Sequence, residues 1–132
     1  MKAQGSSTAL DIVFYLALAL LCTHEIDAAT KGEWRLLPLL SALPDPSGFF
    51  WFVVLHIPLF TAIFWLTGHP KPNVARVSRI CVSVFLIAHG GIHFALSGHE
   101  KYIFAPPLET ITVYGGALAG LLYLGLLRLN RS

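Results

Sequence analysis

The sequence predicts an all-α protein, an integral membrane four-helix bundle with an interfacial segment between helices 1 and 2. Three observations predict it. The 132 residues are 55% hydrophobic and only 12% charged, about half the charged share of an ordinary soluble domain. The apolar residues gather into four runs, each close to the length a helix needs to cross about 30 Å of hydrocarbon. Short segments rich in proline, glycine and charge separate the runs. The length suits a single domain, and a net charge of +2 gives no basic footprint for nucleic acid.

Residues 1–8 are polar and small and read as a short tail. Lys2 stands alone, Asp11 opens the apolar run, no A-x-A site follows, and Leu21 precedes Cys22. A cleaved leader or lipoprotein site is therefore not expected, and the first helix is retained. The first span, 9–29, ends in the polar block Thr23-His24-Glu25-Ile26-Asp27. Residues 30–47 form a connection in which Trp34 and Arg35 are expected to anchor at the membrane interface. Leu36-Leu37-Pro38-Leu39-Leu40 is too short to cross and is expected to lie along the surface. Pro44-Asp45-Pro46-Ser47-Gly48 is turn sequence.

The second span, 49–67, carries His56 near its middle and Pro58 two residues on. The proline removes a helical hydrogen bond and frees the Val54 carbonyl. Residues 68–73 form a tight connector. The third span, 77–97, ends in Leu86-Ile87-Ala88-His89-Gly90-Gly91-Ile92-His93. Residues 98–107 make a short loop that puts Tyr102 and Phe104 at the interface. The fourth span, 108–127, contains Gly116-Ala117-Leu118-Ala119-Gly120, a small-residue stripe through which Gly116 and Gly120 can bring a second copy close. Cys22 and Cys81 lie within apolar runs without a CxxC pattern and read as packed thiols.

Four spans place both termini on one side. That side carries Lys2, Lys71, Arg76, Arg79, Arg128 and Arg131, against Lys31, Arg35 and Lys101 on the other. The excess predicts a multi-pass protein of the cell inner membrane with both termini cytoplasmic.

Titratable side chains at membrane depth are costly and by default mark function. His89 and His93 are four residues apart, which stacks both imidazoles on one helix face. Continuing that face reaches Ser97 and Glu100. The topology brings His24 and Asp27 from the first helix, His56 from about 12 Å into the second, and Glu109 from the start of the fourth to the same outer half. Glu25 points about 160° away from Asp27, at about 100° per residue, and joins only if the helix end unwinds. Glu109, Thr112, Gly116 and Gly120 form one stripe that faces the bundle. His69 falls on the opposite side, and His99 belongs to the rim.

Neutral imidazole and carboxylate are ligands for a divalent transition metal, here zinc or iron, and helix bundles build such sites from facing helices. The predicted ligands are His24, His56, His89 and His93. Asp27 and Glu109 are the predicted acid and base groups beside them. Structural roles compete for some of these residues. His56 can satisfy the Val54 carbonyl of its own helix, and Glu109 sits where an acid favours a helix N-terminus.

The block His24-Glu25-Ile26-Asp27 followed by Glu33-Trp34-Arg35 resembles the opening of small bacterial membrane proteins of the HXXEE type. The run His93-Phe94, then Tyr102-Ile103-Phe104-Ala105-Pro106-Pro107-Leu108-Glu109-Thr110, is similar to their histidine, tyrosine-and-proline loop and following threonine. Two spans carry the resemblance. Asp27 stands where the first acid of the glutamate pair would fall, and Ala28 replaces the second. The resemblance implies an integral membrane protein with a polar site and no assigned reaction.

Three function classes suit this constellation. The first is a metalloprotein that takes a lipophilic small molecule from the bilayer. The second is a carrier of non-covalent haem held by a pair such as His56 and His89. The third is a proton- or cation-conducting or structural subunit that oligomerises through Gly116 and Gly120. No nucleophile with a base, and no phosphate loop, is legible.

Overall fold

The computed structural model describes residues 2–130, with side chains from residue 8 onward. Four helices run along the chain: α1 (Lys2–Lys31), α2 (Asp45–Thr67), α3 (Pro72–Leu96) and α4 (Gly115–Leu129). Two 3-10 turns, Glu33–Arg35 and Leu40–Ala42, link α1 to α2, and a π-helical turn, Thr110–Tyr114, leads into α4. No strand occurs among the described residues. The four stretches long and apolar enough to cross a membrane are Thr8–Lys31, Asp45–Thr67, Pro72–Leu96 and Thr110–Leu129.

The starts of α2 and α3 differ from the sequence reading for one reason. α2 begins at Asp45 and α3 at Pro72, inside segments predicted as turns. Proline is at home in the first turn of a helix, where its missing N–H has no partner to lose. The expected tail is helical from Lys2, while Met1 and Arg131 lie outside the described residues.

α3 and α4 pack closely, and so do α1 and α4. The centre is Phe14, Ala17, Leu18 and Leu21 of α1, Leu86 of α3, and Ala119 and Tyr123 of α4. Gly120 permits the α3–α4 approach, since a Cβ there would lie 2.7 Å from the Ser83 carbonyl oxygen. Gly116 and Gly120 are both buried within the chain. The stripe expected to receive a second copy is thus taken up by α1 and α3. α2 stands apart: only 6% of its most apolar stretch is buried, against 33% for Thr110–Leu129.

Cys81 also departs from expectation. It is exposed on α3 rather than packed. Large apolar side chains are exposed on all four helices.

Candidate metal centre

α1 ends at Lys31, and Gly32 turns the chain with a left-handed backbone, φ 71° and ψ 39°. Glycine ends helices this way because it has no Cβ to clash. The turn aims Glu33 back along α1, where Oε2 lies 3.2 Å from Nε2 of His24. Its two neighbours fasten the segment. Arg35 grips Asp45 at the start of α2 with two hydrogen bonds of 3.0 and 2.8 Å. Trp34, expected at the interface, is buried against Phe49 and Phe52 of α2.

α3 supplies His89 and His93 from one face, as their spacing requires, and both are buried. With His24 they form a trio of rings whose centroids lie 4.7–4.8 Å apart at interplanar angles of 70°, 81° and 87°. One donor atom each from His24, Glu33, His89 and His93 falls within 4.8 Å of the others. Nε2 of His89 is 3.9 Å from Oε1 of Glu33, and Nε2 of His93 is 4.0 Å from Oε2. Ligand atoms around tetrahedral zinc stand about 3.3 Å apart, given bonds of about 2.0–2.1 Å. The side chains would have to move inward to reach that spacing.

The cluster's polar atoms are badly provided for. His24 is 1% exposed, yet neither ring nitrogen has a hydrogen-bond partner; Oε2 of Glu33 has none either. Each such buried group costs about 1–3 kcal/mol. A cation held between Nε2 of His24 and Oε2 of Glu33 would satisfy both. Burial pushes the Glu33 carboxyl up, but the close imidazoles of His24 and His89, and the electrostatic influence of His24 and His93, outweigh it and hold it at about 2. Glu33 is therefore a carboxylate at any ordinary pH.

A relay fixes His93. The Tyr102 hydroxyl donates to Oε1 of Glu109. Its oxygen therefore accepts from Nδ1–H of His93, at 2.8 Å. That leaves the Nε2 lone pair toward the cluster, the arrangement that orients metal-bound histidines. Tyr102 and Phe104, expected at the interface, turn inward instead. Phe104 is buried and covers the rings of His24 and His93, with centroids 5.5 and 4.9 Å away. Burial pushes the Glu109 carboxyl up, the positive charge of His24 opposes this, and the Asp27 carboxylate adds to it; the net shift is upward. Asp27 is buried, and its Oδ2 has no partner.

His56 does not join the trio. Its Nδ1 meets the Phe52 carbonyl at 2.5 Å, not the Val54 carbonyl, and its Nε2 meets Oε2 of Glu25 at 2.8 Å. Both nitrogens are engaged, which leaves neither for a metal or a haem iron in this arrangement. Nδ1–H donates to the carbonyl, so the contact at Nε2 holds a further proton between His56 and Glu25. Glu25 points away from Asp27 as helical geometry requires, and α1 stays wound while it does so. Ser97 and Glu100 do not extend the His89–His93 face, because α3 stops at Leu96 and both are exposed. Glu33 is the residue that sequence reasoning missed. Its signal was a glycine ending a helix, followed at once by an acid.

A family model matches residues 10–130 of the chain, a stretch that holds every residue of the cluster. The chain belongs to the family of unknown function DUF6713. That description gives this DUF6713 chain no activity. No curated protein matches it. No solved structure matches it either.

Proposed function

We propose that this chain is a membrane-embedded metalloprotein whose His24, Glu33, His89 and His93 hold one divalent transition metal, zinc first and iron second, beside a binding place for a lipophilic molecule. The observation that carries the reading is the convergence of four ligand atoms within 4.8 Å, drawn from α1, α3 and the turn between α1 and α2. The donor set is three imidazoles and one carboxylate without sulfur, which suits zinc or non-haem iron. Unpartnered atoms on His24 and Glu33 support it, since a cation repays the cost of burying them. When bound by these four groups, such an ion would supply Lewis acidity, and any outside ligand would have to join as a fifth.

The surrounding residues divide the remaining work. Tyr102 and Glu109 hold the His93 ring and its tautomer. Asp27, with one carboxylate oxygen buried and unpaired, is the acid or base group proposed beside the metal. Orientation with both termini in the cytoplasm, as the basic residues favour, puts the cluster in the non-cytoplasmic half of the membrane.

Elemental analysis of protein purified in detergent tests the reading. One zinc or iron per chain is expected, and cobalt substitution should give visible d–d absorbance. Metal-free protein that takes up neither ion, or a His89→Ala, His93→Ala double variant that keeps its metal, would end it.

A further inference from the structure

Between the loosely held α2 and its neighbour α3 runs a continuous groove. Cavities of about 330, 310 and 240 Å³ follow one another along it. The first two share Glu25, Leu59 and Phe85, and the last two share Leu59, Ile63, Cys81 and Val82. On α3 the groove extends from Ile92 to Val77, about 22 Å of helix. That covers most of the apolar thickness of a bilayer.

Polarity is distributed unevenly along this length. Glu33 and His89 of the cluster, together with Glu25 and His56, all line the first cavity. Beyond Glu25 the walls are apolar down to Thr67 and Ser78 at the far end. Leu59 is 50% exposed and Phe85 48%, so the groove is open sideways, where lipid chains lie. A larger cavity of about 610 Å³ sits on the other side of the Glu25–His56 pair, between α1 and α2, and touches none of the four ligands.

We propose that this groove binds one long-chain fatty acid. Its carboxylate lies between Glu33 and His89 on one side and Glu25 and His56 on the other, and its chain runs down α3 past Leu59, Phe85, Val82 and Ile63. The inference rests on the metal reading for its head group. Three neutral imidazoles and one carboxylate leave a divalent ion with a single net positive charge, and the Glu25–His56 pair, sharing a proton, adds none. An anionic head is the complement of that charge. The chain gains little on moving from bilayer to groove, because both are hydrocarbon. Selectivity therefore belongs to the head.

The test uses the full chain in proteoliposomes with palmitic acid that carries a mid-chain diazirine. After illumination, mass spectrometry locates the label. Label concentrated on peptides holding Leu59–Ile63 and Cys81–Phe85 is expected, with at least a tenfold drop in Leu59→Trp and in Val82→Trp at unchanged metal content. A hexadecanol carrying the same diazirine, and palmitic acid on chelator-stripped protein, should label the groove several-fold less. Equal labelling of every lipid-facing helix, unaltered by either tryptophan, would overturn the site. Equal labelling by the alcohol, or by stripped protein, would overturn the carboxylate assignment. Absence of metal in the purified chain would show by elemental analysis, separately from the label, and would sink the metal reading and the head contact together.

Discussion

At one end of the bundle Arg79 of α3 meets Asp11 of α1 at 2.5 Å and donates to the Thr67 carbonyl at the end of α2, at 3.1 Å. Its guanidinium also lies 5.0 Å from the centre of the Phe14 ring. At the other end His24, Glu33, His89 and His93 face one another, with His24 and Glu33 carrying unpartnered buried atoms. Both ends bring charge-bearing groups together from separate helices. The first is complete in itself, a cation with an anion and a carbonyl, and it fastens three helices. The second is incomplete: both ring nitrogens of His24 and one carboxylate oxygen of Glu33 are buried without a hydrogen-bond partner. Polar groups that complete each other are structural fastenings. Polar groups that share a deficit point to a ligand, and the missing partner is positive.

The comparison can be broken by substitution, and the largest effect is expected at the ligands. His24→Ala or His89→Ala should lower bound metal below a tenth of the wild-type stoichiometry by elemental analysis. Arg79→Met should leave metal per folded chain unchanged. If Arg79→Met strips the metal as well, the two ends are not separable as argued.

Acid should separate them next. Metal competes with protons for imidazole, so bound metal is expected to fall as pH is lowered. Glu33 behaves differently. Its carboxyl is held at about 2, below its ordinary 4.5. The stabilisation this represents is complete above 4.5 and is lost as pH falls toward 2. The melting temperature of metal-free Glu33→Gln should thus lie below that of metal-free wild type at neutral pH, with the gap closing only in that acid window. A gap that closes near pH 6 would contradict the assignment.

Tyr102→Phe should weaken metal binding about 10- to 100-fold, the usual cost of losing a group that orients a ligand. Competition with a chelator measures it, and Lys101→Ala, at an exposed neighbour, serves as control. At the opposite end, Arg79→Met should cost about 1–3 kcal/mol of stability through its lost hydrogen bonds, toward the low end because Asp11 is half exposed; a detergent thermal melt reports it. Smallest of all, Gly32→Ala should cost about 1 kcal/mol for its left-handed backbone. Its sharper readout is metal affinity, because the same turn aims Glu33.

The amino-acid order alone determined that there are four long apolar helices, though not where each begins, because runs of apolar side chains fix length and period without help from neighbours. It also determined that His89 and His93 share a face, and that His24, Asp27 and Glu109 arrive at the same end. Those are matters of helical repeat and of alternating chain direction. Glu33 and His56 were decided only by tertiary structure. A glycine turn, a tryptophan wedged against α2 and an arginine fork on Asp45 swing Glu33 into the cluster. Glu25 meets His56 in a separate pair because α2 packs loosely beside α1 and α3. Sequence places a residue at a depth and on a face. Which of the residues at that depth touch depends on how far apart the helices stand, and that is settled by packing.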